Sequence, residues 1–264
     1  MEIVGAQNGV EFLVFKNISQ TGIARHCVST RKGGVSEGPF ASMNLGYATG
    51  DSRANVDENY RRLCAAVGLD PEKIVRSRQR HGLNVRAIDG ADENVEDDVD
   101  GLMTDKPGVV LATFYADCVP LLFCDPARRV VATSHSGWKG CAGNMAARTV
   151  ARMGERYGCD PADILAGIGP CISRANYEVG SEVAERFAGE FASCFFSLAE
   201  KPGKYLLDLR EACRLGLLSA GLRGRNIDVA PEGMCAFACR EMFFSHRRDG
   251  SPRGSLAALI ALDL

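Results

Sequence analysis

Histidine is scarce in this chain: His26, His81, His135 and His246 are the only four among 264 residues. Any site built on two imidazoles therefore has few others to draw on. No apolar run reaches the roughly 20 residues that span a bilayer, which excludes a membrane-crossing helix. The opening MEIVGAQNGVEFLVFKN carries an acidic Glu2, no basic cluster and no cleavage site, so it does not read as a signal peptide. Charge of one sign is not in excess. The net charge of −2 gives neither nucleic acid nor a membrane surface a bulk electrostatic reason to bind. A CxxC pair is also missing, the nearest approach being Cys235 and Cys239 at helical spacing. The default expectation is a cytoplasmic protein. Its oligomeric state cannot be read from the chain.

Cysteine, by contrast, is abundant at 11 residues. The number is odd and the chain is not small, so a disulfide framework is not expected. Cys27, Cys64, Cys124, Cys141, Cys194 and Cys213 read as small core hydrophobes. Hydrophobic residues make up 46% and charged residues 24%, the balance of an ordinary globular protein. No repeat, low-complexity tract or linker interrupts residues 1–264, which read as one domain. Strands and helices alternate imperfectly, with short connections, so an α+β arrangement is expected over a regular βαβ winding.

Residues 10–28 read as strand, turn and strand. The segment RKGGVSEGPFASMNLGYATGD is long, rich in Gly and Ser, and without period; structured loops of this length tend to carry function. A helix is expected over 51–67, closed by Gly68 with Pro71 beyond. A short strand should start at Ile74 and lead into Gln79-Arg80-His81-Gly82. The acidic run 89–100 reads as a solvated surface loop, since it lacks the ligand spacing of a calcium site. Residues 141–157 form an amphipathic pattern and predict one continuous helix. LAGIGP is strand-like and ends at Gly169-Pro170-Cys171, a sharp turn that would hold backbone close to a ligand. Helices are expected over 179–191 and 204–221, the latter with a strand-like start, and strands at 226–230 and in the final SLAALIALDL.

The stretch from Gly108 to Gly140 is the most informative. Val109 to Phe114 is an apolar run leading to Asp117-Cys118, and Val130 to Thr133 leads to His135-Ser136-Gly137-Trp138. Both runs suit buried strands. With His81, the set offers two imidazoles and one thiolate. Three such ligands suit Zn²⁺ and leave a fourth position open, as in catalytic rather than structural sites. The separations of 37 and 17 residues are not those of a local finger. Two other readings stay open on spacing alone. Cys118 with either histidine could be a metal-free nucleophile pair, as in a hydrolase. Alternatively, both histidines serve the structure only. A non-catalytic zinc module would require a fourth protein ligand, such as Cys171 or His246.

Several longer motifs carry a resemblance. STRKGGVSEGPFASMNLG, GDSRANVDENYRRL, QRHG, ADCVPLLFCDP, HSGWKG, GIGPCI, YEVG, YLLDL and FFSHRRDG occur in order. Almost end to end, the chain is similar to the laccase-domain family, first called polyphenol oxidase and now understood as zinc-dependent purine nucleoside phosphorylases. The resemblance implies Zn²⁺ held by His81, Cys118 and His135. It implies one domain with two central mixed β-layers flanked by helices, a four-layer αββα sandwich. It further implies phosphorolysis of adenosine, inosine, guanosine and methylthioadenosine, together with adenosine deamination. Hydrolysis of a peptidoglycan precursor is an alternative within the same fold. Copper is the less fitting metal: two His, a Cys and a distant Met can make a blue-copper site, but a trinuclear cluster needs many more imidazoles than four.

For the substrates, purine nucleosides and phosphate, Arg247, Arg248 and Lys139 are the expected anion partners, because guanidinium forks match phosphate oxygens. Asn44 and Gln79 are expected polar contacts to ribose or base. Asp117 is expected either to orient a ligand or to cap a turn. The sequence departs from the family's usual pattern in four places. Ser136 stands for Ala, Tyr60 for an Arg, His246 for a Tyr, and Ser251-Pro252 for Thr-Gly. If the Arg usual at position 60 holds an anion, Arg61 or Arg62 would have to serve instead.

Overall fold

The computed structural model describes residues 1–187 and 189–263. Its strands, in chain order, are β1 (Glu2–Gly5), β2 (Glu11–Val14), β3 (Ala24–Ser29), β4 (Ile74–Arg76), β5 (Val85–Ala87), β6 (Gly101–Thr104), β7 (Val110–Tyr115), β8 (Val119–Asp125), β9 (Val130–Ser136), β10 (Leu165–Ile168), β11 (Glu178–Gly180), β12 (Phe195–Ser197), β13 (Lys204–Leu207), β14 (Ile227–Val229) and β15 (Leu256–Leu262). The three long helices are α1 (Arg53–Val67), α2 (Met145–Tyr157) and α3 (Leu209–Ser219).

Two six-stranded sheets form the centre. The first has the order β1-β2-β3-β15-β7-β4 and the second β14-β10-β8-β9-β6-β5. Both mix parallel and antiparallel pairs: β4 runs parallel to β7, while β8 and β9 are antiparallel. A small sheet, β11-β13-β12, stands apart. Between the two large sheets lies an apolar layer that includes Phe15, Leu111, Leu122, Val131, Phe244 and Ile260. The outer face of the first sheet is covered by α1, and that of the second by α2 and α3. This is the mixed α+β fold, helix–sheet–sheet–helix, that the sequence led us to expect. Strands buried on both faces explain why β8, β9 and β15 are buried along their whole lengths.

Helix α1 follows from its spacing. Val56, Tyr60, Leu63 and Cys64 fall on one face and are buried, each large side chain contributing about 1.5–3 kcal/mol. Gly68, at φ 81°, ends the helix in the left-handed region where glycine costs least.

Residues 119–125 form the strand β8, with Pro120 near its start and opposite His135. The structure corrects three expectations. The single helix over 141–157 is broken. A short helix, Trp138–Ala142, ends at Gly143, and Asn144, at φ 57°, restarts the chain by accepting the Ala147 N–H with its side chain. The helix over 179–191 is a strand, β11, then one helical turn and short 3-10 turns, with residue 188 outside the described set. The Gly169 turn is buried and closes on Pro120, whose ring a Cβ at Gly169 would meet at 2.6 Å, so the close approach is to the chain itself.

Candidate metal centre

The chain crosses from the first sheet to the second between β4 and β5, and again between β7 and β8. His81 lies on the first crossing and Cys118 on the second. His135 occupies the penultimate position of β9. Topology thus gathers residues 37 and 17 positions apart. One ligand atom from each of the three lies within 4.8 Å of the others. Two backbone conformations there are costly: His81 has φ 62° and Asp117 φ 92°. Non-glycine residues held in that region cluster at functional sites.

Asp100 explains how these side chains are held. Its side chain is fully buried. Oδ1 lies 2.8 Å from His135 Nδ1 and accepts the His81 N–H at 3.1 Å, while Oδ2 accepts the Arg80 and Gly82 N–H groups, each at 2.9 Å. One carboxylate therefore fixes both the backbone that carries His81 and the ring of His135. With Nδ1 engaged, Nε2 is the His135 atom free to bind a metal. Burial pushes the Asp100 pKa up, but the His135 hydrogen bond and the two backbone donors outweigh it and hold the group below its ordinary value. For His135, burial works to lower the pKa, yet Cys118 and Asp100 together raise it. Asp100 closes the acidic run expected to be a solvated loop. Its neighbours Asp97 and Asp98 are exposed, whereas Asp100 is the exception.

Gly137 tests whether the three residues fit a metal. A Cβ there would lie 2.6 Å from His81 Nδ1 and 3.1 Å from Cys118 Sγ. The position next to the donors is thus kept clear of side chain. Two imidazoles and a thiol, one imidazole backed by a carboxylate, form a set that a divalent ion of zinc's preferences would take. His26 and His246 lie elsewhere. The buried His26 accepts the Phe15 N–H at Nε2, and His246 Nδ1 accepts Arg253 Nε at 3.3 Å.

The donors open onto a cavity of about 880 Å³, whose wall includes Tyr47, Arg76, Ser77, Gln79, Tyr115 and Arg253. Of the residues expected to touch substrate, only Gln79 is part of this wall. Its amide is committed: Oε1 accepts the Phe114 N–H and Ser77 Oγ, and Nε2 donates to the Phe114 carbonyl. Asn44 is fully buried, with its amide bonded to Gly46, Thr49, Asp51 and Ser255, so it holds the N-terminal loop. The Arg248 guanidinium is occupied by the Ala236, Phe237 and Phe243 carbonyls and by Asp249. Arg247 lies over the Tyr177 ring and donates to the Glu178 carbonyl, and exposed Lys139 lies over Trp138. Asp117 takes the capping role: its Oδ2 accepts the Arg247 N–H at the start of a short helix, and its buried Oδ1 has no partner. Sequence reasoning missed Asp100, Arg76 and Arg253. The signal for Arg253 was its place beside the departing Ser251-Pro252.

The family model described as multi-copper polyphenol oxidoreductase laccase matches residues 25–263. The chain belongs to this laccase-like family. Purine nucleoside phosphorylase YlmD of Geobacillus stearothermophilus is 38% identical over 243 residues, 88% of each chain. Purine nucleoside phosphorylase YfiH of Escherichia coli is 36% identical over 236 residues, 89% of this chain and 93% of that one. The crystal structure of the Bacillus licheniformis hypothetical protein YfiH superposes with a TM-score of 0.90 at 32% identity, covering 99% of both chains. Within this laccase-like family, the chain's departures have local answers. His246 props Arg253. Neither Arg61 nor Arg62 takes over at position 60: both bond to Glu58, and Arg62 also donates to the Gly33 carbonyl. Instead, Arg76 lies 4.7 Å above the Tyr60 ring.

Proposed function

We propose that the protein is a zinc-dependent purine nucleoside phosphorylase, acting on inosine, guanosine, adenosine and methylthioadenosine. The observation that carries this reading is the His81–Cys118–His135 donor set, braced by Asp100 and opening onto a cavity large enough for a nucleoside and phosphate together. The names of the relatives support the substrate class. In the reaction, a phosphate oxygen forms a bond to the ribose C1′ as the C1′–N bond breaks. The purine leaves with that electron pair and takes up a proton. Zinc, when bound, supplies Lewis-acid polarisation of an oxygen. The chain supplies the rest. Asp100 keeps His135 in one tautomer and orientation. Arg76 and Arg253 put positive charge on the cavity wall, free of carboxylate partners among the described residues.

Adenosine deamination is the second activity of this reading. It rests on the same three side chains and on the purine nucleosides that the relatives' names imply. The protein works in the cytoplasm, where its eleven cysteines, all free, stay reduced.

The test is to supply zinc-loaded protein with inosine and phosphate and to assay hypoxanthine and ribose 1-phosphate. Both should form, and neither without phosphate. If neither appears, the reading fails. Adenosine separates the two activities, since phosphorolysis releases adenine and deamination releases inosine and ammonia.

A further inference from the structure

Four arginines line the cavity: Arg76, Arg78, Arg80 and Arg253. Two of them share one exposed carboxylate. Arg80 pairs with Asp97 at 2.9 Å and Arg78 approaches the same carboxylate at 4.0 Å. Arg253 has no carboxylate partner among the described residues, but its Nε is held by His246 and its Nη1 by the Gly254 carbonyl and Ser255, leaving Nη2 alone uncommitted. Arg76 differs from all three. Its guanidinium carbon lies 4.7 Å over Tyr60 and 5.1 Å over Tyr47, two rings that are themselves stacked. Among the described residues its guanidinium makes one hydrogen bond, a long one from Nη1 to the Ile74 carbonyl at 3.4 Å, and its buried Nε has no partner. Among the described residues no carboxylate lies within ion-pair distance of it. The guanidinium is thus fixed in place by aromatic faces while its hydrogen-bonding edge remains unused. That is costly for a half-buried cation unless an anion completes it.

We propose that Arg76, held by Tyr47 and Tyr60, is the cavity's binding site for a phosphate dianion. A planar fork of N–H donors with unused capacity matches phosphate oxygens two at a time, which an ammonium cannot do. The aromatic rings fix the guanidinium plane in advance, so little side-chain freedom is lost on binding. The proposal rests on the phosphorylase reading for its role, but not for its chemistry. The dianion is either inorganic phosphate as co-substrate or the 5′-phosphate of a nucleotide.

Binding of inorganic phosphate and of inosine 5′-monophosphate is measured directly by calorimetry, on zinc-loaded wild type and on Arg76→Gln and Arg76→Lys. Loss of the charge-assisted fork weakens phosphate by about tenfold or more in Arg76→Gln, with a smaller loss in Arg76→Lys. In turnover, KM for phosphate rises by the same factor while KM for inosine stays. If the nucleotide weakens instead and inorganic phosphate does not, the site stands and its ligand is the ester. Unchanged binding of both in either folded variant overturns the proposal, and Arg76→Lys decides should Arg76→Gln fail to fold. If wild type binds phosphate through Arg76 yet releases no hypoxanthine from inosine, the phosphorylase reading falls and the anion site stands. Should hypoxanthine form with unchanged phosphate KM and binding in the variants, the site falls and the phosphorylase reading stands.

Discussion

Asp100 Oδ1 lies 2.8 Å from His135 Nδ1, both side chains being buried, and the same carboxylate gathers the N–H groups of Arg80, His81 and Gly82. One residue thereby sets the position of two of the three donors. In Asp100→Asn one oxygen remains to accept, but charge is lost and an N–H₂ group faces backbone donors. Zinc affinity should fall about 10–100-fold, the usual cost of removing such a partner. Competition with a chelator of known affinity checks this; an unchanged dissociation constant would show that Asp100 does not brace the site.

Gly137→Ala adds a single methyl group at the donors. The new Cβ would sit 2.6 Å from His81 Nδ1 and 3.1 Å from Cys118 Sγ. The variant is expected to fold, because Gly137 has an extended φ of −76° that alanine adopts without strain. Metal content by mass spectrometry should drop well below one ion per chain while circular dichroism stays that of wild type.

Cys118→Ala alone does not separate a metal site from a thiol nucleophile. Both readings expect activity to vanish, so the informative measurement is on wild type. Protein stripped of metal retains the thiol, and under the zinc reading it is inactive until zinc is returned. Full activity at zero zinc would favour the nucleophile pair.

His26 gives a pH signature unrelated to the site. Burial holds its pKa down at about 4, and its Nε2 accepts the Phe15 N–H. The unfolded chain takes up a proton near pH 6.5 and the folded chain only near 4, so stability is complete above 6.5 and is lost as pH falls through that window. The loss is about 3.5 kcal/mol, at roughly 1.4 kcal/mol per unit of pKa difference. In denaturant titrations, His26→Gln, which keeps an acceptor but cannot charge, should flatten that part of the profile. An equal slope in both proteins would refute the assignment.

Much of this was legible in the chain. Apolar periodicity marked α1, β7 and β15, because those elements bury regular faces. Strand β8 was hidden by Pro120, which sits at the strand's first pairs, and the break before α2 was hidden because Asn144 caps the next helix instead of ending a hydrophobic pattern. The donors were legible because histidine is so scarce, but their brace was not. Asp100 stands at the end of an acidic run, and nothing in composition separates a carboxylate turned inward from its solvated neighbours. The expected anion partners failed for a similar reason. Arg248 and Arg76 look alike in sequence, and only packing shows that one is occupied by carbonyls and the other stacked on rings with an edge to spare.

His81 is carried by the crossing from β4 in the first sheet, Cys118 by the bend between the sheets, and His135 by β9 in the second. An ion shared by these three is a rivet through the seam of the sandwich. Prying the layers apart at that end would require giving up the ion, so metal occupancy and the cohesion of the two sheets rise and fall together. With free zinc at a hundredfold over its dissociation constant, that coupling is worth about 2.7 kcal/mol. Removing such an ion would therefore loosen the sandwich at the end where the cavity opens.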